Sequence, residues 1–573
     1  MTSIRSLKGA VARGALPLGL AVAVLAACHD VTNLDESAET FISPDKFYQN
    51  DAQAAIAVNG VYAPLMGWNG WKQPAQHSVM CDDNEMLCWN WMGGGWPGNY
   101  AGEWYNQGNS VWFGDYQIIQ RANDVIANVG NSSSITEGMK KTATGQALFA
   151  RGYAYFDLVR RYGGVPIRLE PYAPDAQMGA KARSTVAEVY QQVVKDLRQA
   201  ADRLPPSYST PNGQGLPRAA TAWGLLAKAY LHMAGDEATG TPLAANKATY
   251  VDSARLAALQ VMGDASVKLE LNYMDVFDVS KQNTSPEILF AVQGATANLN
   301  GSQIPGMFGP RGDCTLVGGC GQGFVSLRED FYNSFDKVND KRVEPNKAIA
   351  HRWENTFSPL GKITVLALDS IATLQSKGLV VRDQQFRWES WTEGCGAFGI
   401  TYDSLTTTDP NTGAATTRVV GTSRPIYSLK YIDPQHLGSD QAPANNFIIL
   451  RYADVLLIFA EAENEKNGPT TAAYDALNAV RARANLTPLS GLSQSSFRQA
   501  VWQERAHELY GEFQARFDLI REGRWMTVMN QGSTVPDYAG HGTCRPRQAY
   551  QKLQPIPALE LAANPLIAQN PGY

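Results

Sequence analysis

Histidine is scarce in this chain: seven residues in 573. No pair of cysteines has zinc-ribbon spacing, so a structural or catalytic metal centre built from His and Cys has little to draw on. Positive charge is not in excess either, with 49 Lys and Arg against 54 Asp and Glu. A nucleic-acid-binding chain needs a basic face, which this balance argues against. After residue 27 no apolar run reaches the roughly 20 residues a membrane helix requires. The body of the chain is therefore expected to be globular. A hydrophobic fraction of 44% is ordinary for such a body. Glycoside hydrolysis needs two carboxylates roughly 5–9 Å apart across a cleft, and no local motif supplies an evident pair. The expectation is a protein that is not an enzyme.

What is present begins at the N-terminus. Arg5, Lys8 and Arg13 precede the apolar stretch GALPLGLAVAVL (14–25), and no acid occurs before Asp30. A basic head, a short apolar core and small residues before a cleavage point describe a secretory signal. Leu-Ala-Ala-Cys, ending at Cys28, resembles a bacterial lipobox. That resemblance implies that residues 1–27 are removed and that Cys28 carries lipid on its thiol and its amine. Each buried CH₂ of an acyl chain adds about 0.8 kcal/mol, so several chains anchor stably. Removing residues 1–27 takes away three positive charges and no acid, so the formal charge moves from −5 to −8. Residues 28–50 read as a polar tether.

Six further cysteines, an even number in an exported chain, suggest disulfides. Six cysteines allow 15 connectivities, which sequence does not fix; in one of them Cys81–Cys88 and Cys314–Cys320 each close a short loop, which leaves Cys395–Cys544.

The segment 51–264 holds three pairs of helical patterns: 51–66 with 109–129, 139–162 with 184–203, and 218–234 with 248–262. Ser184 is the expected N-cap of the fourth helix. A fourth pair, 447–467 with 471–485, lies in the segment 446–573. Between them, 265–445 is rich in Gly, Asn, Asp, Thr and aromatics, and reads as loops, short strands and small helices. Trp223, Leu226, Ala227 and Tyr230 fall at tetratricopeptide spacing, and Phe149, Ala150 and Tyr153 repeat its second half. The spacing fits tetratricopeptide units and ordinary helical hairpins alike.

Two helical segments carry internal charges. In FIILRYADVLLIFAEAENEKN (447–467), Arg451, Asp454 and Glu461 fall on one narrow stripe of an otherwise apolar helix. Buried charges need partners, so an ion-pair network is expected in preference to a catalytic pair. In ERAHELYGEFQARFDLIREGRW (504–525), the apolar positions follow helical spacing, and Glu512 and Arg516 form an i,i+4 pair. His507-Glu508 begins like H-E-x-x-H, but Gly511 stands where the second histidine belongs.

Four motifs then carry a resemblance: LFARGYAYFDLVRRYGGVPI (148–167), ILRYADVLLIFAEAENEKNG (449–468), EFQARFDLIREGRW (512–525) and LQPIPALELAANPLIAQNPGY (553–573). Together with the lipobox, in this order, they resemble the SusD/RagB family of outer-membrane lipoproteins. The resemblance implies a mostly α fold with four tetratricopeptide-like helix pairs and a large irregular, loop-rich insertion that carries the ligand site. It implies an outer-membrane, surface-exposed location and a TonB-dependent transporter as partner. It also implies a glycan, or in some members a peptide, as cargo.

Sugar rings offer flat C–H faces that pack on aromatic rings, while Asp, Asn, Gln and Arg read their hydroxyls. Seven of the thirteen tryptophans, Trp68, Trp71, Trp89, Trp91, Trp96, Trp104 and Trp112, lie within 45 residues. Gly93-Gly94-Gly95 breaks any helix there. Trp89, Trp91 and Trp96 are the expected stacking platforms, with Asp82, Asp83 and Asn84 accepting hydroxyls. Trp68, Trp71, Trp388 and Trp391 are further candidates. Trp104 and Trp112 adjoin a helix and are expected in the core. A Cys81–Cys88 bridge would stiffen the loop and lower the entropic cost of binding. Asp82, Asp83 and Glu85 offer oxygens of the kind calcium takes, without the spacing of a calcium loop. Arg311-Gly312-Asp313 reads as a chance loop sequence. Tryptophan density favours a glycan over a peptide, and a protein-binding repeat surface would coincide with the transporter contact.

Overall fold

The computed structural model describes residues 47–66, 86–88, 105–171, 179–208, 215–236, 240–295, 304, 308–309, 325–345, 347–351, 384–387, 399–408, 415–423, 426–433, 443–530 and 548–573. The described chain is mostly helical. Among the described residues, six α-helices precede the irregular region: α1 (Asp51–Met66), α2 (Tyr105–Asn131), α3 (Glu137–Tyr162), α4 (Val186–Arg203), α5 (Ala219–Met233) and α6 (Lys247–Met262). Each packs on the next in sequence. After a short helix α7 (Glu329–Asn333) come α8 (Tyr452–Asn467), α9 (Thr471–Arg483), α10 (Gln494–Leu509), α11 (Ala515–Arg521), α12 (Trp525–Asn530) and α13 (Ala558–Ala563). Helix α8 packs directly on α6, and α9 and α10 pack on α8. The long insertion therefore leaves the helical stack unbroken.

Local chemistry explains several boundaries. Thr136 caps α3 by accepting from the Met139 amide. Helix α4 starts one residue later than expected. Thr185, not Ser184, is its N-cap, in a reciprocal capping box with Glu188. Helix α3 ends at Gly163, whose φ of 76° only glycine adopts freely. At Gly164 a Cβ would lie 2.2 Å from the Ser184 carbonyl oxygen. The Gly-Gly pair of the 148–167 motif is thus a close backbone crossing. Ala150, Tyr153 and Phe149 are buried, as are Leu226, Ala227 and Tyr230, while Trp223 is half-buried. Trp112 is in the core, as expected, with its ring 5.1 Å from that of Tyr162.

The insertion contains more regular strand than expected. Strand order in one sheet is β1 (Met86–Cys88), β3 (Val325–Leu327), β8 (Ile426–Ser428), β4 (Ile349–His351). A second sheet, β5 (Gln384–Arg387), β6 (Gly399–Thr408) and β7 (Ala415–Ser423), is an antiparallel meander whose last two strands pair from Ile400↔Ser423 to Thr408↔Ala415 without a register shift. The third pairs β2 (Ile288–Val292) with β9 (Phe447–Arg451). That pairing corrects the reading of 447–467 as one helix. Phe447–Arg451 is a fully buried strand, and the helix begins at Tyr452. A short apolar run is ambiguous between buried strand and buried helix, and here ILFAV supplied a partner.

The reading of 504–525 as continuous helix is corrected too. Gly511 and Phe513 have φ of 71° and 59°, which ends α10 at Leu509 and restarts the helix at Ala515. Glu512, freed from the helix, directs its carboxylate at Arg451 and Lys430 rather than along the i,i+4 direction of Arg516. Among the described residues, no helix is long and apolar enough to cross a membrane.

Candidate ligand-binding site

The expected ligand residues Trp68, Trp71, Asp82, Asp83, Asn84, Trp89, Trp91, Trp96, Trp388 and Trp391 lie outside the described residues, as do Cys28, Cys81, Cys314, Cys320, Cys395 and Cys544. Cys88 is placed by its backbone, at the end of β1. What the structure does place is the scaffold on which those residues are strung. The chain leaves α1 at Met66, joins the insertion through β1, and re-enters the helical stack at Tyr105. Cys88 pairs with Val325, and Met86 with Leu327. Trp89 therefore follows directly on a hydrogen-bonded strand. Trp388 likewise follows β5, whose Arg387 pairs with Gly399.

The sheet that receives β1 is anchored in the core. Val325, Leu327, Ile349, Ile426 and Tyr427 are all buried. Two residues past β8, the ammonium of Lys430 is fully enclosed. It donates to the carbonyls of Glu508 (3.3 Å) and Tyr510, and to the Glu512 carboxylate (3.0 Å). The Tyr510 ring lies 3.9 Å from it, a distance at which the ring face attracts a cation. Burial pushes this lysine down to about 8, against the pull of Glu512.

Lys430 belongs to a larger buried cluster. Arg451, at the end of β9, donates to Glu512 (2.8 and 2.9 Å), Glu287 (2.9 Å), Glu508 (2.6 Å) and the Glu508 carbonyl (2.7 Å). Arg342 reaches Asp340 (2.7 Å), Glu504 (2.6 Å) and Glu508 (3.2 Å). Arg483 binds Glu287 (2.8 Å) and Glu508, and Arg481 binds Glu504 (2.9 Å). Among the described residues, five cations thus meet five carboxylates. Burial alone would raise Glu508, but Arg483, Arg451 and Arg342 hold it well below the ordinary carboxylate range. Desolvation of so many charges is offset only because each is multiply bonded. The cluster joins the insertion (Glu287, Asp340, Arg342, Lys430) to α9, α10 and β9, so it fixes the platform that β1 joins.

The stripe read from 447–467 is structural, as expected. Asp454 pairs with Lys228 (2.9 Å) and Arg505 (2.9 Å), and Glu461 with Arg521 (2.6 Å). His507-Glu508 is no metal motif. His507 stacks on Phe335 at 3.9 Å and hydrogen-bonds Ser334, while Glu508 lies in the cluster above. Among the described residues, no group of His, Cys, Asp and Glu could hold a metal ion. Sequence reasoning missed Lys430, Arg342 and Glu287. A lone charge inside the apolar run IYSLKYI was the one available sign.

The described elements define a class: a stack of paired helices carrying an inserted region of small sheets, to which an N-terminal tryptophan-rich segment is tied. The chain belongs to the SusD family. The model of that family matches residues 286–573, and a second, described as "Starch-binding associating with outer membrane", matches 36–231. SusD-like protein P2 of Formosa agariphila is 26% identical, over 96% of this chain and 97% of that protein. Among solved structures, a SusD homolog from Bacteroides thetaiotaomicron superposes with TM-score 0.72 at 22% identity, covering 94% of this chain and all of that one. Surface glycan-binding protein A from the same organism, solved in complex with laminarihexaose, gives 0.64 at 19% identity, over 91% and 99% of the two chains.

Proposed function

We propose that this chain is a non-catalytic, lipid-anchored protein of the outer membrane surface, held there through Cys28. It binds a glycan and passes it to a TonB-dependent transporter. Its stacked helices serve as four tetratricopeptide-like pairs, and Trp89, Trp91 and Trp96 stack on sugar rings while Asp82, Asp83 and Asn84 accept their hydroxyls. Trp68, Trp71, Trp388 and Trp391 extend the same surface.

The observation that carries this reading is the attachment of the tryptophan-rich segment, through β1, to a buried sheet of the insertion. Loops held by a rigid scaffold are where binding residues concentrate. Support comes from the family and from relatives named for laminarin and laminarihexaose. The lipobox supports the anchor, and the match to a family of starch-binding proteins associating with the outer membrane supports the location. The test is to isolate the chain from its native membrane and ask whether a TonB-dependent barrel co-purifies. Metabolic labelling with an alkynyl fatty acid should mark the wild-type chain and leave Cys28→Ser unlabelled. Labelling of the Cys28→Ser chain would remove the anchor.

A further inference from the structure

A cleft of about 290 Å³ opens between α7, α10 and α11, on elements other than β1. Its lining is built on one face of α10, where Gln499, Trp502 and Gln503 fall within one helical turn. Trp502 is half-buried, and the two glutamines are exposed. The indole is held from two sides. Its Nε1 donates to Glu461 at 3.1 Å, and the Arg524 guanidinium sits 5.3 Å from the ring.

The charges lining this cleft are paired with one another. Asp518 accepts from Arg505 (3.0 Å) and Arg521 (2.7 Å), and Glu522 from Arg524 (2.8 Å). What remains unpaired is neutral: the exposed Gln499 and Gln503 amides have no protein partner among the described residues. Self-neutralised charges disfavour an ionic ligand, because neither sign is in excess. A fixed aromatic edge and two free amides suit a neutral polyhydroxyl compound. The volume is at the low end for ligand pockets, which start at about 300 Å³, so it takes one or two sugar rings rather than a chain.

We infer that this cleft is a second carbohydrate site, taking a mono- or disaccharide unit against Trp502 with Gln499 and Gln503 reading its hydroxyls. The inference rests on the glycan-binding reading above and places a short-range subsite on the helical body.

The test uses the full chain labelled with 5-fluorotryptophan and titrated with laminaribiose and laminarihexaose, following each indole by fluorine NMR. Trp502 is assigned by its loss in Trp502→Phe. The expected result is a saturable shift of the Trp502 signal by laminaribiose, retained when Trp89, Trp91 and Trp96 are all replaced by Ala. Replacing both Gln499 and Gln503 with Ala, at exposed positions that do not threaten folding, should weaken that response roughly tenfold, the worth of two hydrogen bonds. A Trp502 signal that does not move while other indoles respond would overturn this inference and leave the glycan-binding reading standing. So would a Trp502 shift indifferent to the glutamine substitutions. If no indole responds to any glycan of a broad panel, both readings fall together.

Discussion

Arg451→Met removes the centre of the buried charge cluster while keeping most of the side-chain volume. Arg451 makes five hydrogen bonds, to Glu287, Glu508, Glu512 and one main-chain carbonyl. Its loss does not leave those carboxylates bare. Glu287 keeps Arg483, Glu508 keeps Arg342 and Arg483, and Glu512 keeps Lys430. Breaking a buried ion pair by removing one partner costs about 3–5 kcal/mol, and the surviving partners place this variant at the lower end, about 3 kcal/mol. Lys430→Met should cost a similar amount, because it removes one donor each from Glu512, the Glu508 carbonyl and the Tyr510 carbonyl, of which the first two keep Arg451. The two cations share Glu512, so the double variant should depart from additivity by at least about 0.5 kcal/mol. With neither present, Glu512 takes up a proton and sheds its charge. The assay is urea unfolding followed by far-ultraviolet circular dichroism, with all four proteins compared at one pH. An Arg451→Met loss below about 1 kcal/mol, or strict additivity, would refute the claim that this cluster holds the insertion to the helices.

Three further outcomes are expected. His507 is held neutral by burial and by Arg342 and Arg481, which push it down from 6.5 to about 3. The unfolded chain binds that proton first, so its contribution is complete above pH 6.5 and is lost as pH falls toward 3. The slope from this one group is about 1.4 kcal/mol per pH unit in that window, and His507→Gln should flatten the measured profile between pH 6 and 5 by that amount. Gly164→Ala should destabilise by about 1–3 kcal/mol, since its Cβ meets a main-chain oxygen that no rotamer change can move; unchanged thermal unfolding would contradict the crossing. Thr185→Ala should cost about 1 kcal/mol by removing the capping box of α4, and Ser184→Ala almost nothing.

Much of the helical body was legible because its helices are long and periodic. Helix α1 matches its expected span of 51–66, and the other paired helices keep their order, with boundaries moved by a few residues. Such shifts follow from capping chemistry, as at Thr185, which differs from Ser184 by one hydrogen-bonding choice. The strand Phe447–Arg451 was not legible. Nothing inside FIILR separates strand from helix, and the pairing with Ile288–Val292 spans more than 150 residues. The same distance hid the charge cluster. Arg451 announced that it needed a partner, but Glu287 and Lys430 are joined to it only by the fold. The proposed ligand loop rests on tryptophan density alone, a statement about composition that leaves each indole's position to the fold.

The most direct measurement is isothermal titration calorimetry of the full chain with a glycan panel that includes laminarihexaose, comparing wild type with Trp89→Ala, Trp91→Ala and Trp96→Ala. Saturable binding by the wild type is expected, with a loss of about 1–3 kcal/mol in at least one variant, by analogy with a base stacked on an aromatic side chain. Binding that all three variants keep at full strength would contradict that expectation.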